Sequence, residues 1–110
     1  MRKVYIAGKL NDDAVGYIKN MHNMMTYANF VRRKGFAVFV PCLDLLTGLL
    51  DGYFTYEDYF NNNQVFLTAC DFVFVCPGYQ TSKGTLREIT LAESLGIPVF
   101  YQLEELDGKQ

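Results

Sequence analysis

Four short runs of unbroken apolar, β-prone residues, separated by stretches of helical periodicity, constrain this chain more than any other feature. They are residues 3–7 (KVYIA), 36–40 (FAVFV), 71–76 (DFVFVC) and 97–101 (IPVFY). Strands without in–out alternation are buried on both faces, and strands that alternate with helices pair in parallel. The order predicts one small doubly wound α/β domain over residues 1–110, a Rossmann-like or flavodoxin-like parallel sheet of about four to five strands with helices on both faces.

Three helices fill the intervals. Residues 12–34 carry Val15, Ile18, Met21/Met25, Ala28 and Val31 at spacings of three and four, with Asn11, Asp12 and Asp13 at the start and Arg32-Arg33-Lys34-Gly35 at the end. Thr55-Tyr56-Glu57-Asp58 has the form of a capping box and opens a helix to about residue 69. A third helix runs from Gly84 to Leu95 and stops at Gly96. Between residues 42 and 53, Leu43, Leu45, Leu46, Leu49 and Leu50 suggest a short helix or a packed loop. The polar residues 104–110 read as a frayed terminus.

Composition removes several classes of function. Ten basic residues against twelve acidic ones, a net charge of −2, leave no excess to grip a nucleic-acid backbone. No apolar run approaches the roughly 20 residues that cross a bilayer, and the opening apolar stretch is too short for a signal peptide, so a cytoplasmic protein without membrane contact is expected. Cys42, Cys70 and Cys76 are an odd set without C-x-x-C spacing, and Cys70 and Cys76 read as small core residues in a reducing compartment. His22 is the only histidine, which excludes multi-histidine zinc sites, and it reads as a structural or surface residue. No metal or organic cofactor is expected.

In open α/β sheets, ligands bind beyond the carboxyl ends of the strands. That rule points to Gly8-Lys9-Leu10, to Pro41-Cys42 and to the stretch from Pro77 to Thr85. In the last of these, Gly78 and Gly84 allow close backbone approach, Ser82 adds a hydroxyl, Lys83 a cation, and a helix begins whose first N–H groups, Thr85 among them, suit an anion. Phosphate or a hydroxylated sugar fits that environment; a plain turn is the alternative. Glu88 follows within the helix, either complementing the helix dipole or facing the cleft as nucleophile or base. Asp71 reads as a turn or capping residue. Tyr53, Phe54, Tyr56, Tyr59 and Phe60 form either a wall on which a nucleobase stacks or a packing surface. Met21, Met24 and Met25 read as core or subunit contact.

The ordered set Val4-Tyr5-Ile6-Ala7-Gly8, Leu67-Thr68-Ala69-Cys70-Asp71, Ser82-x-Gly84-x-x-x-Glu88 and Ala92-x-x-x-Gly96-Ile97-Pro98-Val99 resembles the nucleoside 2-deoxyribosyltransferase superfamily. That superfamily includes the 2′-deoxynucleoside 5′-phosphate N-hydrolases. The likeness covers nearly the whole chain and is weakest over residues 42–59. It implies that Glu88 attacks C1′ of the sugar, that Tyr5 stands beside it, and that Gly8 and Lys9 line the sugar or phosphate site. It also implies that Ser82 takes the 5′-phosphate, where the nucleoside transferases have an aspartate for the 5′-hydroxyl. A serine beside Lys83 favours nucleotides over nucleosides. Asn63 stands where the family has the aspartate that protonates or orients the base, and an amide delivers no proton. The resemblance therefore implies cleavage of the N-glycosidic bond of a (deoxy)nucleoside 5′-monophosphate, by hydrolysis or base transfer, in a homodimer or higher homo-oligomer. A nucleotide-binding module without turnover, and a protein of assembly alone, stay open.

Overall fold

In the computed structural model, which describes residues 1–110 apart from the side chain of Leu45, the four apolar runs form one parallel sheet. Its strands are β1 (Lys3–Ala7), β2 (Ala37–Phe39), β3 (Phe72–Val75) and β4 (Val99–Phe100), ordered β2-β1-β3-β4. Tyr5 lies opposite Phe39 on one side and Val73 on the other. The helices are α1 (Ala14–Arg33), α2 (Asp44–Leu50), α3 (Tyr56–Thr68) and α4 (Lys83–Ser94).

Side chains alternate across the sheet and so divide the core into two. Val4, Ile6, Phe72 and Phe74 pack on Met24, Ala28 and Val31 of α1. Tyr5, Ala7, Val73 and Val75 face Leu67 of α3 and Ile89 and Ala92 of α4. Both faces of the two central strands are thus covered. β2 and β4 depart from expectation: they are the edge strands and only half-buried. On β2, Phe39 offsets that exposure by stacking on Phe66 of α3, ring centroids 4.6 Å apart.

The apolar stripe expected on α1 is also corrected. Met24, Ala28 and Val31 are buried, whereas Val15 and Ile18 are 64% and 57% exposed and Met25 is exposed too. A 20-residue helix is about 30 Å long, while a five-residue strand spans about 17 Å. The first half of α1 therefore overhangs the sheet beyond the carboxyl end of β1. His22 is exposed on the same helix.

Local signals in the sequence set most helix ends. The Asp13 side chain accepts from the Gly16 amide at 2.7 Å and starts α1. Thr55 and Asp58 make the reciprocal capping box of α3. The ambiguous leucine segment is a 3₁₀ turn (Pro41–Leu43) followed by α2; Leu43, Leu46, Leu49 and Leu50 are exposed, and the Leu45 side chain lies outside the described residues. The terminus is not frayed. A 3₁₀ turn (Leu103–Leu106) buries Leu106 completely, Lys34 pairs with Asp107, and the Gln110 amide donates to the Lys34 carbonyl at 2.8 Å. Leu106 and these two polar ties hold the tail against the α1 face.

Asp71 ties the entry of β3 to β1: it accepts from the Lys3 amide and donates its own amide to the Lys3 carbonyl, both at 2.8 Å. Its place is at the opposite end of the strands from the cleft, as the turn reading requires.

Candidate functional site

The carboxyl ends of β1, β2 and β3 open into a cavity of about 990 Å³. The loop after β1 contributes Gly8, Leu10 and Asn11, and the overhanging start of α1 adds Tyr17. One wall is built by α2 and α3 through Asp44, Gly48, Leu49, Tyr56, Tyr59, Phe60 and Asn63. The opposite wall is residues 81–85 with Arg87 and Glu88 of α4. Most of it is apolar and aromatic, with a few convergent polar groups, as small-molecule sites are built.

Glu88 is the sixth residue of α4. It lies beyond the first turn, where a carboxylate would complement the helix dipole. Protein encloses most of the residue, which also lines the cavity. The Tyr5 hydroxyl, projecting from the buried central strand, donates to Glu88 Oε2. Burial pushes the Glu88 pKa up to about 7; the Tyr5 hydrogen bond opposes that rise and the Asp44 charge adds to it. Tyr5 is held well above the usual phenol range by burial and by the Glu88 carboxylate, so it stays a neutral donor. Its ring stacks on Phe39 at 5.5 Å, which fixes the hydroxyl's direction.

Ser82 is the N-cap of α4. Its Oγ accepts from the Thr85 amide at 3.2 Å and shares a hydrogen bond with Thr85 Oγ1 at 2.8 Å. The cap turns both hydroxyls toward one another at the cavity wall. Gly84 lies close under Tyr56: a Cβ there would stand 3.0 Å from the Tyr56 hydroxyl. Gly8 is similarly confined, with a Cβ 3.2 Å from both Cys76 Cβ and Met24 Cε. Lys83 is exposed on the same wall.

Gly8, Asn63, Ser82, Lys83, Gly84, Thr85 and Glu88 therefore converge on one cavity, with Tyr5 directly behind Glu88. Two expected residues stand apart from its lining. Lys9 Nζ donates to Thr81 Oγ1 at 3.3 Å, tying the first strand–helix loop to the third. Gly78 sits in the left-handed region at φ 88° and makes the turn after β3, without reaching the cavity. Of the aromatic cluster, Tyr56, Tyr59 and Phe60 line the wall, while Tyr53 and Phe54 stack edge-to-face with one another outside it.

Asp44 and Arg87 are not among the residues expected from the sequence. Asp44, the first residue of α2, accepts from Asn63 Nδ2 at 2.9 Å. Burial raises its pKa and the Asn63 bond opposes the rise. The signal for it was positional: it follows Pro41 at the carboxyl end of β2. The Arg87 guanidinium lies over the Phe60 ring at 3.6 Å and donates to Glu57 Oε1 at 2.7 Å. Among the described residues, no group of three or more His, Cys, Asp or Glu is placed to hold a metal ion, and no helix is long and apolar enough to cross a membrane.

Residues 2–101 match the family described as "Domain of unknown function (DUF4406)". The fold is similar to that of a 2-deoxyribosyltransferase from the psychrotolerant bacterium Bacillus psychrosaccharolyticus, characterised as a biocatalyst for the synthesis of nucleosides. The TM-score is 0.68 at 17% identity, over 96% of this chain and 90% of that one. A conserved protein from Enterococcus faecalis V583 aligns with a TM-score of 0.72 at 20% identity, over 90% of this chain and 61% of that longer one. No curated protein matches the sequence. The Rossmann-like fold expected from the superfamily resemblance is the fold found.

Proposed function

The chain belongs to the DUF4406 family, and we propose that it cleaves the N-glycosidic bond of a nucleoside 5′-monophosphate through Glu88. The observation that carries this reading is the Tyr5–Glu88 pair: an enclosed carboxylate, oriented by a neutral phenol, at the wall of a cavity large enough for a nucleotide. A carboxylate so held is suited to attack C1′ as the bond to the base lengthens and the sugar gains oxocarbenium character. The C1′–O bond to Glu88 forms, the C1′–N bond breaks, and its electron pair leaves on the base. Water or a second base then displaces Glu88 from C1′.

The start of α4 suits the 5′-phosphate. Its first amides and the Ser82 and Thr85 hydroxyls can donate, and Lys83 adds a positive charge. The aromatic wall of Tyr56, Tyr59 and Phe60 suits a stacked base. Exposed Leu46, Leu49, Leu50, Tyr53 and Phe54 support self-association. Sedimentation velocity checks this, and a monomer at tens of micromolar counts against it.

The test is base release from a panel of nucleosides and nucleoside monophosphates, with Glu88→Gln as control. Release from monophosphates that the substitution abolishes supports the reading. Binding of monophosphates without release replaces it with a nucleotide-binding module, and neither binding nor release overturns it.

A further inference from the structure

A glycosidic bond to a nucleobase breaks slowly unless the departing base receives a proton, and Asn63 has none to give. The carboxyl group nearest to that amide comes from a different element. Asp44 Oδ2 accepts from Asn63 Nδ2 at 2.9 Å, while Asn63 Oδ1 is engaged by Asn62 Nδ2 at 3.2 Å. The Asn63 side chain is thus fixed at both ends, and it holds Asp44 by one oxygen. Asp44 and Glu88 line the same cavity from opposite walls.

We infer that Asp44 is the general acid of this site, donating its proton to the leaving base, and that Asn63 is the positioning residue that aims it. This rests on the glycosidase reading of the preceding subsection. As the C1′–N bond breaks, its electron pair passes to the base, the base takes the Asp44 proton, and Asp44 is left as a carboxylate. In the second half, that carboxylate takes the proton of the water that attacks C1′ and releases Glu88, which restores both groups.

The bland alternative is that Asp44, first in α2, only complements that helix's dipole. Its bond does not stay on α2, however, but crosses to α3. Burial raises the Asp44 pKa while the Asn63 bond opposes the rise, and the Asp44 carboxylate acts on Glu88 across the cavity. Two interacting carboxyls in one cavity, one attacking while the other donates, is the usual division of labour in glycoside cleavage. The identity of residue 63 fits as well. An aspartate there would set two carboxylates within hydrogen-bonding distance, where both cannot be ionised. An amide avoids that competition.

Asp44→Asn is compared with the unsubstituted protein on two pairs of 5′-monophosphates: guanosine with 7-methylguanosine, and uridine with 5-fluorouridine, each as ribo- and 2′-deoxy forms. The second member of each pair has the better leaving group, and the 7-methylguanine already carries its charge. Asp44→Asn is expected to lose roughly 100-fold or more in kcat/KM, which reports the half-reaction up to departure of the base, on the first members and far less on the second, the range typical of a lost general acid. The ratio within one preparation is independent of how much of the variant is folded. An equal loss on both members, or no loss, overturns the role of Asp44 while leaving the glycosidase reading intact. Failure of the unsubstituted protein to cleave any of these compounds overturns both.

Discussion

Glu88→Gln is expected to stabilise the protein at alkaline pH while abolishing its chemistry. In the folded state burial raises the Glu88 pKa from 4.5 to about 7. Between those two values the folded chain keeps a proton that the unfolded chain has released. Stability therefore falls as pH rises through this window, and the favourable contribution is complete only below about 4.5. At about 1.36 kcal/mol per pKa unit, the ionised carboxylate costs the folded state about 3 kcal/mol at pH 8. Glutamine is neutral, keeps an oxygen for the Tyr5 hydroxyl, and escapes that cost. Urea unfolding at pH 4 and pH 8 measures it. With a urea slope of about 1–1.5 kcal/mol/M for a domain of this size, the variant's midpoint should exceed the natural one by roughly 2–3 M at pH 8 and match it at pH 4. A difference that does not change with pH, or grows toward acid, would refute the argument that Glu88 is held ionised at a cost to the fold.

Tyr5→Phe removes the donor that holds the Glu88 pKa down. The limb of the activity profile on which Glu88 ionises should then move to higher pH, with a fall in kcat of at least about tenfold; an unmoved limb would remove Tyr5 from the site. Ser82→Asp keeps an N-cap acceptor for the Thr85 amide, so thermal stability should hold within about 0.5 kcal/mol. The added charge should weaken monophosphate binding by about tenfold or more and leave nucleosides little affected, a contrast that calorimetry reads directly. Leu106→Ala should cost about 2–5 kcal/mol in denaturant unfolding, because the residue is fully buried against the α1 face. A loss below 1 kcal/mol would return the last residues to a frayed tail.

Local chemistry written in the sequence determined most of the frame. Apolar runs without alternation specify parallel strands, and Asp13, Thr55 and Ser82 can satisfy helix N-termini within three residues of themselves. The strand–helix order then points to the carboxyl ends of the strands, so the place of Gly8 and Ser82 beside the cavity was legible in the sequence. Sequence could not show which strands are the edges, since β2 and β4 are as apolar as their neighbours and their half-burial follows from sheet order. Nor could it show that α1 outruns the sheet and leaves Val15 and Ile18 bare, because periodicity carries no information about where a helix ends relative to its partner. The same limit applies to the site. Tyr5 and Glu88 are 83 residues apart, and Asp44 and Asn63 are 19 apart on two different helices. A carboxylate in a leucine-rich segment looks like any helix-opening acid until the chain folds. Its significance comes from the α3 amide it meets and the cavity it faces, both of which only tertiary packing supplies.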